Sequence, residues 1–204
     1  MSYARPLLAW PIAVRLALLA ALVVIAFIAA IRLGAVSLST RDVVNALIGR
    51  GDPSTITIVR ELRLPRALQA ALVGAALGVS GAAFQALLRN PLAEPYTLGV
   101  SSGAAMGAVL TVVTGWSTHI VWSLPVAAFA GAALSMVLVF QVAYSVGSDR
   151  RLDTRVLLLA GVVVSAFLIA LVWLVLTFAT SDTVRSAIFW MMGSNSGASW
   201  HPAW

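Results

Sequence analysis

One short pattern in the chain could perform nucleophilic chemistry. Gly99, Ser101 and Gly103 match the G-x-S-x-G pattern of hydrolases, in which a serine on a strand-to-helix turn is activated by a histidine and an acid. Here the serine opens a predicted membrane helix. The two histidines are His119, predicted at the opposite membrane face, and His201. An intramembrane serine hydrolase is therefore an alternative function, not the leading one.

Other reactive constellations are missing from the sequence. The chain has no cysteine, so disulfides, thiolate metal sites and thiol nucleophiles are excluded. Neither histidine has a partner at metal-ligand spacing. There is no G-x-x-x-x-G-K-[ST] loop, so the chain does not bind ATP in the P-loop manner. We predict no metal, no cofactor and no ATPase site.

The basic side chains indicate a lipid environment. All thirteen basic residues are arginine, against seven acids, for a net charge of +6. The arginines stand in short clusters between long charge-free runs, a pattern that a bilayer selects and nucleic-acid binding does not require. Only 10 % of residues are charged and 61 % are hydrophobic, whereas an average soluble domain is about 25 % charged. A polytopic membrane protein with no nucleic-acid partner is expected.

The charge-free runs predict a transmembrane helical bundle of about five spans, since one crossing takes roughly 20 apolar residues. We treat the chain as one transmembrane domain with spans at about 12–32, 66–88, 97–114, 121–147 and 156–179. A cleaved signal peptide is the alternative for the first span.

A polar segment, residues 33–65, separates the first two predicted spans. Within it, Thr40 to Ile48 has one apolar face and predicts a short amphipathic helix, which Gly49 and Gly51 would stop. Residues 181–199 show a weaker version of the same pattern. Both stretches are expected on the membrane surface or, for the second, in an ordinary loop.

The arginine count leaves the orientation undecided. With the N terminus in the cytoplasm, six arginines fall inside and seven outside, and six of those seven lie between residues 32 and 66. Without that segment the count of six to one favours a cytoplasmic N terminus. Either the orientation is reversed or the outer arginines have a purpose, such as receiving an acidic protein partner.

Glycines at four-residue spacing predict close helix contacts. Gly99, Gly103 and Gly107 share one face of the third span, and a shorter series in the second span consists of Gly74 and Gly78, followed by Gly81. Such faces let a neighbouring helix approach closely. The alternative is a pathway whose walls slide past one another.

Two prolines, Pro91 and Pro95, interrupt the helix between the second and third spans. Irregular backbone at membrane depth survives where protein buries it or water reaches it. The segment is therefore either a cytoplasmic hairpin loop or the inner mouth of a conduit, to which Asn90 and Glu94 would contribute polarity.

A long, ordered block of motifs resembles one known family. It consists of Arg63-Leu64-Pro65-Arg66, Gly74-Ala75-Ala76-Leu77, Ser80-Gly81, Gln85, Asn90-Pro91-Leu92-Ala93-Glu94-Pro95 and Leu98-Gly99-Val100-Ser101-Ser102-Gly103-Ala104. The block is similar to the FecCD group, the membrane permeases of ABC importers for iron-siderophores, haem and cobalamin. Further stretches at 158–161, 190–194 and Trp200 extend the resemblance over residues 39–204.

This resemblance implies an ABC importer type II permease-like bundle in the bacterial cytoplasmic (inner) membrane, with the N terminus inside. The segment at 33–66 would then face a periplasmic or lipid-anchored substrate-binding protein, whose acidic residues meet permease arginines. The motif assigns this contact to Arg63 and Arg66, and we add Arg60 from its proximity. Alternatively, Arg66 anchors a helix end among lipid headgroups.

The resemblance also implies a second permease subunit, identical or paralogous, and two cytoplasmic ATPase subunits that power transport of a metal chelate. Asn90, Pro91 and Glu94 would lie at the cytoplasmic mouth of the pathway or at the ATPase surface. Thr154 and Arg155 follow the turn between the fourth and fifth spans, where the exit narrows, and are candidate gate residues.

Length departs from the family pattern. Members resemble two inverted halves with roughly ten spans, whereas this sequence reaches Trp204 where a sixth span should begin. We expect a truncated permease or a fragment.

A self-sufficient secondary carrier is the remaining alternative. Coupling to an ion would need a titratable residue at mid-span, and no predicted span contains Asp, Glu or Lys.

Overall fold

The described residues are almost entirely helical in the computed structural model, which covers 10–91, 94–120, 122–146, 153–195 and 197–200. No strand occurs among them, and the predicted all-α class is confirmed. The helices are α1 (Ile12–Arg32), α2 (Thr40–Leu47), α3 (Pro53–Thr57), α4 (Leu64–Leu88), α5 (Val100–Val113), α6 (Ser123–Val146), α7 (Thr154–Thr177) and α8 (Ser181–Met192).

Four helical stretches in the described ranges are long and apolar enough to cross a bilayer. They are α1, the continuous helix from Pro53 to Leu88, α6 and α7. The third predicted span is shorter than expected, because α5 has 14 residues and therefore measures about 21 Å. Gly99, with a left-handed φ of 78°, separates α5 from a 3₁₀ turn at Pro95–Leu98.

The helix containing the second predicted span begins at Pro53 and not near residue 66. Asp52 caps its N terminus by accepting the Thr55 N–H at 3.0 Å, and Pro53 suits the first helical position because the missing N–H would have no intrahelical partner there. The long polar segment between the first two spans thus already contains the start of the second helix.

The described residues divide into two compact units. The first contains the residues up to 75 together with 195 and 197–200. Its core joins the end of α1, the inner face of α2 and the start of the long helix. The buried members are Ile31, Val43, Ala46, Val59 and Ala67.

The second unit comprises residues 76–194, in which α5 packs against α6, α7 and α8. One cluster is formed around Leu98, Val139 and Leu157, and another around Val109 and Val172. Helix α8, predicted weakly from sequence, packs through its buried Ala187.

Large apolar side chains cover the outside of the helices. In α1 only Ile31 is buried, while Leu22, Val24 and Ile28 are each more than half exposed. An apolar helix with so little protein contact is stable only where the surrounding solvent is itself apolar, as in a bilayer.

Candidate functional site

The basic segment, residues 33–66, is organised around α2. Ser39 and Asp42 form a capping box: the Ser39 hydroxyl accepts the Asp42 N–H at 3.2 Å, and the Asp42 carboxylate accepts the Ser39 N–H at 3.3 Å. Gly49, with φ of 80°, follows the helix at the position predicted for its stop. The predicted short amphipathic helix is therefore present at Thr40–Leu47.

A wide π-helical turn, Ile58–Arg63, lies between α3 and α4. The Leu64 N–H donates to the Val59 carbonyl, five residues earlier. Pro65 explains the geometry, because proline has no N–H and its ring would clash with the carbonyl four residues before it in an α-helix. The wider turn accommodates the proline without ending the helix.

Arg63, on this turn, is buried, with 9 % of its surface exposed. Its Nη1 donates to the carbonyl oxygens of Ile31 and Arg32 at 3.0 and 2.7 Å, and its Nη2 donates to the carbonyl of Val36. The guanidinium therefore caps the C terminus of α1, where carbonyls have no intrahelical donor and carry partial negative charge.

Arg60, on the same turn, caps a different helix. Its Nη2 and Nε donate to the Leu47 carbonyl at 2.7 and 3.3 Å, at the C terminus of α2. The backbone carbonyl of Arg60 accepts the Trp200 indole N–H at 2.7 Å. Within its own helix the Arg60 carbonyl has no N–H donor four or five residues later. The Leu64 N–H donates to the Val59 carbonyl instead, and Pro65 has no N–H.

Arg66 completes the Arg-Leu-Pro-Arg motif and is exposed. Together with Arg63, Leu33 and Ala67 it lines a cavity of about 370 Å³. Other arginines of the basic segment are also exposed at its surface. They are Arg41, Arg50 and Arg60.

Asp52, the cap of the long helix, lies at the surface of the same segment. Hydrogen bonds from the Ser54 hydroxyl and then from the Thr55 N–H lower the pKa of its carboxyl below the ordinary 3.8, because both bonds favour the charged form. The cap is therefore ionised at neutral pH.

The predicted mouth residues follow the C terminus of α4. Arg89 has φ of 47° and turns the chain away from the helix, and the Asn90 N–H donates to the Gln85 carbonyl at 3.2 Å. Pro91 and Glu94 are exposed. Leu92 and Ala93, between them, lie outside the described residues.

Gly99, at the start of α5, is enclosed by hydroxyl groups. Its carbonyl accepts the Ser102 and Ser135 hydroxyls at 2.9 and 2.7 Å and the Gly103 N–H at 3.0 Å. Ser135 is 1 % exposed. These bonds satisfy an irregular backbone within the helical bundle, as a low-dielectric interior requires. Sequence reasoning missed Ser135, because its partner is 36 residues away.

Gly103 and Gly107 lie at a close backbone contact between α5 and α6. A Cβ added at Gly103 would be 2.4 Å from the Gly131 carbonyl oxygen, and one at Gly107 would be 2.0 Å from the Ala127 carbonyl oxygen. A similar approach occurs at Gly161 of α7, 2.3 Å from the Thr97 carbonyl oxygen. Side chains larger than hydrogen cannot fit at these places.

The glycines of α4 are placed differently. A Cβ added at Gly74, Gly78 or Gly81 would meet nothing within 4 Å. Within the described part of the chain these three residues therefore make no close helix contact, and the packing role predicted for them remains a prediction for a partner helix.

The candidate gate residues Thr154 and Arg155 begin α7. Asp153 caps this helix by accepting the Arg155 N–H at 2.8 Å, and the Arg155 side chain is exposed. The preceding turn at 147–152 lies outside the described residues.

The structure separates the residues of the hydrolase pattern. Ser101 is at the first turn of α5, and His119 follows the far end of that helix, about 20 Å away at 1.5 Å per residue. Ser101 instead lines a cavity of about 370 Å³ with Tyr96, Ser165 and Trp190. No group of three or more metal-ligating side chains occurs among the residues that the structure describes.

Comparison with known proteins decides the family. The model of the FecCD transport family matches residues 22–204. The chain belongs to the FecCD transport family. Residues 1–21, which include the first ten residues of α1, precede this match.

Curated relatives of this FecCD chain are ABC transporter permeases. The achromobactin transport system permease of Dickeya dadantii is 40 % identical over 91 % of the chain and 52 % of the relative. The vitamin B12 import system permease of Escherichia coli is 42 % identical over 77 % of the chain and 48 % of the relative. An uncharacterized permease of Bacillus subtilis is 43 % identical over 75 % and 43 %, respectively.

A solved structure of a metal-chelate type ABC transporter in an inward-facing conformation shares the fold. Its TM-score is 0.71 at 32 % sequence identity, covering 89 % of this chain and 54 % of that one. This FecCD chain therefore spans about half the length of the proteins that it matches.

Proposed function

We propose that the chain is the transmembrane permease component of a binding-protein-dependent ABC importer. The observation that carries this proposal is the FecCD match over residues 22–204. The cargo proposed is an iron-siderophore or similar metal chelate, supported by the relatives named for achromobactin and vitamin B12 transport and by the metal-chelate type structure.

The proposed location is the bacterial cytoplasmic membrane with the N terminus inside. Four long apolar helices support a multi-pass arrangement, and outside residues 32–66 the arginines favour a cytoplasmic N terminus by six to one. The basic segment would then face the periplasm.

The proposed partners are cytoplasmic ATPase subunits, a substrate-binding protein and a second permease subunit. The basic segment would receive acidic residues of the binding protein, with Arg60, Arg63 and Arg66 as the arginines named by the motif and its surroundings. Asn90, Pro91, Glu94, Thr154 and Arg155 would lie at the cytoplasmic mouth. The chain would contribute no ATPase site of its own.

The test is uptake by the complete transporter in proteoliposomes. With ATP inside and the loaded binding protein outside, we expect accumulation of a ferric chelate, and none when the ATPase carries an inactivating substitution. Uptake driven by a proton or sodium gradient without ATP would instead support a secondary carrier. Ser101→Ala is expected to leave transport unchanged.

A further inference from the structure

The wide turn Ile58–Arg63 leaves one carbonyl without a main-chain donor. In a regular α-helix the Arg60 carbonyl would accept the N–H of Leu64, four residues later. That N–H donates to the Val59 carbonyl instead. The next residue, Pro65, has no N–H to donate. Acceptors of this kind nearly always find a partner in native structures, because an unpaired carbonyl away from water is costly.

The indole of Trp200 supplies the missing donor. Its Nε1 lies 2.7 Å from the Arg60 carbonyl oxygen, although the two residues are 140 positions apart in the chain. Both belong to the first compact unit. An indole N–H only donates, so it suits an isolated acceptor. Trp200 is 48 % exposed, so burial of the ring accounts for only part of its placement.

The need for this donor arises from the proline. If residue 65 carried an N–H, a main-chain donor would reach the Arg60 carbonyl in either helical geometry. The donor would be Leu64 in a regular α-helix, four residues later, or residue 65 in a continued π-helix, five residues later. Pro65 and Trp200 are therefore complementary, since one removes the donor that the other provides.

We propose that Trp200 is a positioning residue of the wide turn, and that the turn in return anchors residues 197–200. This segment follows α8 in the chain. Because coupling between two elements acts in both directions, displacing the segment should destabilise the wide turn, and straightening the turn should release Trp200. The inference goes beyond the proposed function and does not depend on it, because it concerns a bond within this chain.

The first experiment observes the indole N–H directly by nuclear magnetic resonance. The purified transporter in detergent is labelled with ¹⁵N at the tryptophan indoles of this chain, and comparison with Trp200→Phe identifies the signal of Trp200. We expect its N–H to exchange with solvent at least about fivefold more slowly than free tryptophan, and to lose that protection in Pro65→Ala. Absent protection in the parent, or full protection in Pro65→Ala, would overturn the proposal.

The second experiment is a double-mutant cycle on the apparent melting temperature of the same sample. Trp200→Phe should lower it by about 2–4 °C, the shift that loss of one hydrogen bond gives a chain of this size. In the Pro65→Ala background most of this loss should disappear, because the main chain then serves the Arg60 carbonyl. Equal losses in both backgrounds would mean that ring packing alone explains the effect, and would overturn the proposal.

Trp116→Phe is the matched control for this cycle. It makes the same substitution in the other unit, at a side chain that is 65 % exposed. Its effect on the melting temperature should be the same with proline or alanine at residue 65. A background dependence as large as that of Trp200→Phe would show that Pro65→Ala changes stability in general, and the proposal would fail.

Amide hydrogen exchange tests both directions of the coupling. Trp200→Phe should speed exchange about threefold or more at residues 62–64, because the wide turn loses a supporting bond. Pro65→Ala should speed exchange to a similar extent at residues 197–200, because their anchor is released. If either region exchanges as in the parent, the turn and the segment are not coupled.

Discussion

At the scale of single residues, hydrogen is the only side chain that fits at several helix contacts. Gly103 faces the Gly131 carbonyl oxygen at a distance that no Cβ tolerates. The same residue type in α4 faces open space. Two glycines that look alike in the sequence therefore respond differently to the same substitution.

We expect Gly103→Ala to destabilise the chain and Gly78→Ala to leave it unchanged or more stable. Overpacking against backbone costs about 1–3 kcal/mol, whereas alanine in an open helix position gains up to about 1 kcal/mol in propensity. The measurement is the apparent melting temperature in detergent. A loss at Gly78 as large as at Gly103 would show that a further helix packs on α4.

At the scale of elements, the wide turn depends on Pro65. Replacing the proline restores an N–H and removes about 3 kcal/mol of intrinsic penalty against helix. We expect Pro65→Ala to shift residues 58–63 toward regular α-helix, which turns Arg60 and Arg63 away from the carbonyls that they cap.

The measurement is amide hydrogen exchange in the purified transporter. In Pro65→Ala the amides near residues 60–66 should exchange more slowly, and those at the ends of α1 and α2 more quickly. Slower exchange at all three places would mean that helix capping by Arg60 and Arg63 does not depend on the wide turn.

Sequence patterns predict elements that local chemistry controls. Ser39 begins α2 and Gly49 follows its end because capping and left-handed backbone involve only neighbours. The wide turn could not be predicted in the same way. Its bonds connect Arg63 with Ile31 and Trp200 with Arg60, which are far apart in the chain. A charge pattern does not show which backbone carbonyls a guanidinium will cap.

At the scale of the whole molecule, lipid is the required solvent. Exposed leucine, valine, isoleucine and phenylalanine side chains extend along α1, α4, α6 and α7. We expect the purified chain to be monodisperse in detergent or nanodiscs and to aggregate when detergent is removed, as followed by size-exclusion chromatography with light scattering. A monodisperse sample without detergent would contradict the membrane assignment.

Hydropathy indicates apolar helices but not the breaks within them. Hydropathy reports how apolar a run is, so α1, α6 and α7 were located within a few residues. It does not report where backbone geometry breaks the run. The shortness of α5 could therefore not be predicted from hydropathy, because it results from Gly99 and its hydroxyl partners.

The turn that bears Arg60 and Arg63 contains six residues, and this number matters for the helix on either side. Because Pro65 prevents an ordinary α-helix from continuing here, removing one amino acid from the turn would rotate everything on its N-terminal side by about 100°. Insertions or deletions in this turn should therefore be tolerated less well than almost any single substitution.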